Sequence, residues 1–300
     1  MKNTLYLALV MSLILSSCAK NENLNDASGV FEAIEVIVSS EGNGKILQLH
    51  INEGEEVKMN QNLGLIDSTQ LHLSRLLLEA NKEAILSGTP DVKSQIDAIQ
   101  KEIDRLTHDK KRIEKLLEGD VATQKQLDDV NAQISILNAR LIAQKKSLNT
   151  NVNAIYQNSK VVDVQLAQIK DQISKCNISS PINGVVLVKY AEEGELTAMG
   201  KPLFKIADLS EMILRAYVTA DQLEYISLGQ QVDVYAEYGK DGRQKSNGTV
   251  SWISSKAEFT PKTIQTQDER ANLVYAVKIR VANEGLIKIG MYGGLNFIKE

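Results

Sequence analysis

The stretch SSEGNGKILQLHINEGEEVKMNQNLGLI, residues 39–66, returns 140 positions later as SSPINGVVLVKYAEEGELTAMGKPLFKI, residues 179–206. Without a gap, Ser39, Ser40, Asn43, Gly44, Leu47, Glu53, Gly54, Glu55, Met59, Leu63 and Ile66 match Ser179, Ser180, Asn183, Gly184, Leu187, Glu193, Gly194, Glu195, Met199, Leu203 and Ile206. The identities fall at turns and at spaced apolar positions, as in short strands punctuated by glycine turns. Neither half is long enough to bury a core alone. The two are therefore expected to pair into one small β-sandwich, from half-modules 39–68 and 176–209, with everything between them an insertion.

The insertion, residues 69–175, reads as a helical hairpin. Its rising limb places Val92, Ile96, Ile99, Ile103, Leu106, Ile113 and Leu117 at alternating steps of four and three, with Lys110 in the remaining seat. The returning limb has Leu127, Val130, Ile134, Leu137, Leu141, Leu148, Ile155, Val162, Leu166, Ile169 and Ile173, with polar breaks at Gln144, Asn151 and Asn158. Sustained heptads of this kind mark paired long helices. Roughly 50 residues per limb at ~1.5 Å rise make a rod of about 75 Å. A globular bundle of shorter helices would need more stops than the sequence has.

The clear interruption is 87–90, where Gly88 suits a helix stop, Thr89 a cap and Pro90 a first helical position, with Asp91 adding a favourable charge. A short helix over about 69–86 thus precedes a long one over about 91–118. At the tip, 118–123, Gly119 is expected to take the left-handed conformation that ends a helix. Thr123 and Gln126 have capping-box spacing.

The flanks set the address. Residues 1–17 have a basic start at Lys2 and an apolar run from Leu5 to Leu15, short for a bilayer span. The run ends in Leu15-Ser16-Ser17-Cys18, which looks like a bacterial lipobox: cleavage before Cys18 would leave a thiol that carries diacylglycerol. An ordinary secretory signal with an incidental cysteine is the alternative. Residues 18–29 form a polar tether. Cys176 is then the only other thiol, expected as a small buried residue at the helix-to-strand junction. Residues 210–284 suit a β-barrel, with strands near Ile213–Val218, Gln231–Glu237, Thr249–Ile253 and Leu273–Val281 and a polar loop from Ala257 to Asn272. The strand at 30–38 is expected to pair with 285–300 in a last β domain.

A net charge of −4 gives no electrostatic case for nucleic acid. There is no His/Cys cluster, no phosphate loop and no Ser-His-Asp signature. The acid pairs Asp128-Asp129 and Glu192-Glu193 read as solvated charge, and His50, His72 and His108 are scattered. No catalytic residue, cofactor or metal is expected.

The repeat, the inserted hairpin and the lipobox together resemble a periplasmic adaptor, or membrane fusion protein, of the hemolysin-D type. The motifs that carry the resemblance are Ser180-Pro181-Ile182-Asn183-Gly184-Val185 and Glu193-Gly194-Glu195. It implies an elongated, multidomain α+β fold: a coiled-coil hairpin inserted in a split lipoyl/biotinyl-like β-sandwich, followed by the barrel and the membrane-proximal domain. The carrier lysine of true biotinyl domains is missing, because the hairpin stands at that joint. The break at Gly88-Thr89-Pro90, with Ala257-Glu-Phe-Thr-Pro-Lys262, Gln265-Thr-Gln267, Glu269-Arg270 and Gly290-Met291, is similar to adaptors of ABC-type exporters; proton-driven drug or metal pumps are the alternative partners.

The resemblance further implies a ring of copies in the periplasm of a Gram-negative bacterium, held to the inner membrane by lipid on Cys18. Its partners would be an ABC-type permease and ATPase and an outer-membrane channel of the TolC type. Family adaptors dock on the channel through Arg-Leu-x-x-Leu, six residues, then Ser; here Arg112-Ile113-x-x-Leu116, six residues, Thr123 stands in its place. Ile113 and Thr123 are conservative departures. On the residues alone, Arg112 also reads as a solvated helix charge, Leu116 as a seam residue and Thr123 as a cap. A coiled-coil envelope scaffold without transport is the competing function.

Overall fold

The computed structural model describes residues 25–238, 242–259 and 273–297. Cys18, the signal segment and most of the tether lie outside the described residues, as does the loop from 260 to 272.

The first strand, β1 (Ala27–Glu32), belongs to the barrel. The sandwich follows in two sets of four: β2 (Glu35–Ser39), β3 (Gly44–Leu49), β4 (Glu56–Val57) and β5 (Asn62–Ile66), then β6 (Asn177–Ser179), β7 (Gly184–Lys189), β8 (Leu196–Thr197) and β9 (Pro202–Ala207). The sheets run β2-β9-β7-β4 and β6-β5-β3-β8. Each sheet therefore takes two strands from each half, and the halves are interleaved about a pseudo-twofold axis.

The identities found in the sequence are the contacts of that axis. Asn183 Oδ1 accepts from the Met59 amide and Asn43 Oδ1 from the Met199 amide, both at 2.8 Å. Glu193 accepts from the Leu49 amide at 2.8 Å and Glu53 from the Lys189 amide at 3.0 Å. The Ser40 and Ser180 hydroxyls each donate to the carbonyl two residues on, at 2.6 Å. Gly54 and Gly194 both stand at positive φ, +86° and +89°, in the left-handed region that favours glycine. Between the sheets, Ile46, Ile51, Leu63, Ile66, Leu203, Phe204 and Ile206 form the core. The first half-module begins earlier than expected, at Glu35 rather than 39, because β2 pairs with β9 through Val36 and Ile206.

The hairpin rises as α1 (Thr69–Ser87) and α2 (Val92–Glu118) and returns as the single helix α3 (Gln124–Ser174). The 51 residues of α3 span about 75 Å at ~1.5 Å per residue. Ile103 and Leu106 on α2 and Leu141, Leu148, Val162 and Leu166 on α3 are buried in the seam. Two expectations for the returning limb shift by one position: Asn151 and Asn158 are exposed, while Val152 is half-buried and Ser159 buried. The seam there advances by two consecutive steps of four, from Gln144 through Leu148 to Val152, a stutter that resets the register opposite the break in the rising limb. Gln144 donates across the seam to Gln95 at 3.2 Å.

At that break Gly88 does end α1, but the cap of α2 is Asp91, whose carboxylate accepts from the Ser94 amide. Thr89 instead donates its hydroxyl to the Leu86 carbonyl at 2.7 Å. Pro90 therefore precedes the cap rather than opening the helix. Near the hairpin's root, Lys82 pairs with Asp163 at 2.7 Å. Cys176 is buried and free where α3 meets β6, as expected.

The last unit comprises β10 (Glu211–Thr219), β11 (Gln231–Tyr238), β12 (Gly242–Ile253), β13 (Glu258–Phe259), β14 (Leu273–Ala282) and β15 (Tyr292–Phe297), with β1. The strand order is β10-β1-β15-β11-β12-β14-β13, and β10 also pairs with β14. Six strands thus close a barrel, and β13 lies along the end of β14. Phe31, Met212, Leu214, Val234, Ile279 and Leu295 fill it. The expected pairing of the strand near Val30 with the chain's end is present, Val30 opposite Tyr292. It completes the barrel rather than building a separate domain, because the four strands from 210–284 leave a gap that only β1 and β15 fill.

Candidate functional site: the hairpin tip

The tip is a short reversal with its backbone groups accounted for. The Gly119 φ is −97°; the left-handed residue is Asp120, at +57°. A short carboxylate-bearing side chain tolerates that conformation. The Leu116 carbonyl accepts from the amides of Val121 at 2.9 Å and Ala122 at 3.3 Å, and the Asp120 amide donates to Leu117. Thr123 then opens α3 with a full capping box: its amide donates to Gln126 Oε1 at 2.9 Å, and the Gln126 amide donates to its hydroxyl at 3.4 Å. Backbone bonds to the end of the rising limb and the side-chain cap of the returning one together leave few orphan donors at the reversal.

The residues from 112 to 117 divide by face. Ile113 and Leu117 are half-buried in the seam, while Arg112 and Leu116, four residues apart and so on one side of the helix, are exposed. The Arg112 side chain is 72% exposed and reaches Asp109 at 3.3 Å. Asp109 also takes Arg105 at 3.1 Å, and Arg105 donates to Glu102 at 2.7 Å. The Arg105 bond holds the Glu102 carboxyl below its usual range. Arg112 is thus loosely held by one shared carboxylate, and its fork remains accessible. Thr123 is exposed, with its hydroxyl engaged in the cap.

Sequence reasoning missed Val121, which is 74% exposed between Asp120 and the cap. Its signal was an apolar residue in the turn with no seat in either heptad. Arg112, Leu116 and Val121 offer a guanidinium beside two solvated aliphatic groups, a surface suited to a protein partner. Among the described residues no group of His, Cys, Asp and Glu could hold a metal ion, and no helix is long and apolar enough to cross a membrane. Burial pushes the Cys176 thiol up, and its sulfur donates to the Gln172 carbonyl.

Comparison with known proteins gives a consistent picture. The family model described as RND MFP, barrel-sandwich hybrid domain, matches residues 35–209, the interleaved halves with the hairpin between them. A UPF0194 membrane protein from the asrC 5′ region of Acidithiobacillus ferridurans is 24% identical over 286 residues, covering 88% of this chain and 83% of the relative. A UPF0194 membrane protein of Yersinia pestis is 25% identical over 266 residues, covering 80% and 79%. Among solved structures, MacA from Actinobacillus actinomycetemcomitans superposes with a TM-score of 0.53 at 21% identity, over 92% of this chain and 79% of that one. A MacA–MexA chimera containing the Pseudomonas aeruginosa MexA α-hairpin domain gives 0.51 at 22% identity, over 89% and 77%. The match over 35–209 takes in more than half of the chain, and its limits are those of the interleaved module itself, so the chain belongs to the membrane fusion protein family with the barrel-sandwich hybrid domain.

Proposed function

We propose that this chain is the non-enzymatic adaptor of a tripartite efflux or secretion system, joining an ABC-type inner-membrane transporter to an outer-membrane channel of the TolC type. The observation that carries this reading is the hairpin: a rod of about 75 Å, fixed at its root by one interleaved sandwich, that ends in a capped turn with Arg112, Leu116 and Val121 exposed. Arg112 would give hydrogen bonds to carbonyls or carboxylates of the channel, Leu116 would fill an apolar notch, and Thr123 would shape the turn while presenting its hydroxyl. Lipid on Cys18 would hold the barrel against the periplasmic side of the inner membrane, and a ring of copies would enclose the path.

The test is capture of the channel by the tip in a cross-linking assay. Arg112→Asp should reduce it at least several-fold with the protein's amount unchanged; unchanged capture would sink the tip assignment. Deletion of the gene, with the partner pump expressed, should abolish export of the cargo, and unaltered export would count against the adaptor role. A second reading, service to a proton-driven pump, is favoured by the RND description of the matching family model. Co-purification from membranes separates them: an ATPase and permease support the first, a proton-driven pump the second.

A further inference from the structure

The barrel has two rims, and the chain uses them differently. Its links to the sandwich, from β1 into β2 and from β9 into β10, leave from one rim. The chain enters at the other. There β1 begins at Ala27, antiparallel β10 ends at Thr219 and antiparallel β15 ends at Phe297. The entry point is fastened. The side chain of Asn25 lies over Gly294, where a Cβ would collide with it. The Asp26 amide donates to the Leu295 carbonyl at 3.0 Å, its carboxylate accepts from the Phe297 amide at 2.8 Å, and its carbonyl accepts from the Gln222 side chain at 2.6 Å.

The bond from Gln222 ties in the loop from β10 to β11, residues 220–230, and that loop presents apolar side chains outward. Leu223 and the buried Ile226 root it in the barrel core. Tyr225, beside Ile226, is 67% exposed, and Leu228 is 71% exposed. Leu228 stands at the corner of a tight turn: the Gln230 amide donates to the Ser227 carbonyl at 3.1 Å, and Gly229, at φ +85°, takes the left-handed third position. The Gly229 amide donates to the Val250 carbonyl at 2.8 Å, which holds the turn against β12. Leu273, at the start of β14 on the same rim, is exposed as well. The loop's ionisable acids, Asp221 and Glu224, are exposed, and it has no basic residue to seek an anionic surface.

We infer that this rim rests in the headgroup layer of a zwitterionic lipid bilayer, with Tyr225 and Leu228 inserted. The inference rests on the adaptor reading for one thing, the lipid on Cys18, and the length of the chain brings that lipid close. From Cys18 to Asn25 is seven residues, which reach at most about 25 Å when fully extended. The sandwich rim lies a strand further off, six residues or about 20 Å. Tyrosine suits the boundary between headgroups and acyl chains, its ring apolar and its hydroxyl hydrated. Leucine gains by leaving water for the acyl side of that boundary. The contact adds what a tether lacks. A lipid on a polar tether fixes distance and leaves direction free. A rigid loop bonded to the tether's point of entry, and itself inserted, sets the barrel upright and turns the sandwich with its hairpin away from the membrane.

The test uses the full chain as cells make it, placed in vesicles of phosphatidylethanolamine and phosphatidylcholine whose acyl chains carry bromine, a quencher of tryptophan emission. Trp252 is the chain's one tryptophan, so Trp252→Phe clears the background. Leu228→Trp then reports from the tethered rim. Leu286→Trp, between β14 and β15, reports from the sandwich rim, where Leu286 is also exposed. Insertion by about 5–10 Å brings the first reporter to the acyl boundary, and its emission should fall at least about twofold. The second should not change. Tyr225→Asp added to the Leu228→Trp chain should remove most of the quenching. Emission from Leu228→Trp that bromine leaves unchanged overturns the proposal; so does equal quenching at both rims, or quenching indifferent to Tyr225→Asp. The vesicles hold no other protein, so a rim built to grip a transporter gives the unchanged result. The mass of the N-terminal peptide from the same sample reads the lipid on Cys18. Lipid absent with Leu228→Trp quenched sinks the anchor and leaves the rim contact standing; lipid present with Leu228→Trp unquenched does the reverse.

Discussion

The interleaved sandwich contains its own control experiment. Val57 and Thr197 occupy equivalent positions in β4 and β8, each opposite the glycine that opens a six-residue strand of the other half, Gly184 and Gly44. They are 2% and 6% exposed. The Thr197 hydroxyl, shielded from solvent, has no hydrogen-bond partner among the described residues. A buried hydroxyl without a partner costs about 1–3 kcal/mol relative to its hydrated state, and valine has nearly the same shape. Thr197→Val is therefore expected to stabilise the sandwich by about 1–2 kcal/mol, a factor of roughly 5–30 in its folded-to-unfolded ratio. The mirror change, Val57→Thr, should destabilise it by a similar amount, since it places a hydroxyl where the other half already carries one unpaired. Urea denaturation and hydrogen exchange of the Ile46 amide, which donates to the Glu195 carbonyl, and of the Gly194 amide, which donates to the Ile46 carbonyl, would read both changes. If both variants are neutral, a water bridges the hydroxyl at either site, and the assignment of Thr197 as an unsatisfied group is wrong.

Other outcomes follow from the hairpin and the barrel. Thr123→Ala removes the capping box and should cost the tip about 1 kcal/mol, seen as faster exchange of the Gln126 and Leu127 amides with the rest of α3 unchanged. Gly293→Ala would put a Cβ 2.5 Å from the Phe31 ring and 3.1 Å from the Tyr235 carbonyl; thermal unfolding should show a loss of about 1–3 kcal/mol in the barrel. The Asp91 cap depends on pH. Hydrogen bonds from the Ser94 hydroxyl and amide hold its carboxyl below the usual 3.8. A folded-state value below the unfolded one means the cap's contribution is present above that range and is lost as pH falls through the depressed value. Exchange of the Ser94 amide should quicken only in that acid window; a change centred near neutrality would point to another group.

How much of this was legible in the residues differs from element to element. The repeat was visible because the pseudo-twofold bonds demand the same side chain twice, Asn43 with Asn183 and Glu53 with Glu193. The interleaving was not, since matching turns do not say which half's strands lie side by side. The heptads located the hairpin, but Asn151 and Asn158 were placed in the seam by carrying a seven-residue step across the stutter, where the helix had already moved on to Val152 and Ser159. The cap at the break and the left-handed residue at the tip were each misassigned to a nearby residue that can play the same part, Thr89 for Asp91 and Gly119 for Asp120. The pairing of strands from opposite ends of the chain, Val30 opposite Tyr292, was expected, but that it completes the barrel was not, because no local pattern counts how many strands a barrel needs. At the tip, Arg112, Leu116 and Thr123 came from the resemblance to the family's docking motif, whereas Val121 needed the turn's geometry to be recognised as exposed.

The interleaving has a consequence for how the molecule is made. Every sheet of the sandwich needs strands from both halves, so β3 and β5 have no complete sheet until β6 and β8, beyond the hairpin, have been synthesised. A coil of that length would be slow to bring its ends together and would leave Ile46, Leu63 and Ile66 open to misassociation meanwhile. The intervening segment is instead rich in contacts between neighbouring helices that can zip from the tip downward. Once the limbs are paired, the last residues of α3 arrive beside the first of α1, and the second half is delivered to the first at high effective concentration. In this order the helices act first as a scaffold for assembling the sheets.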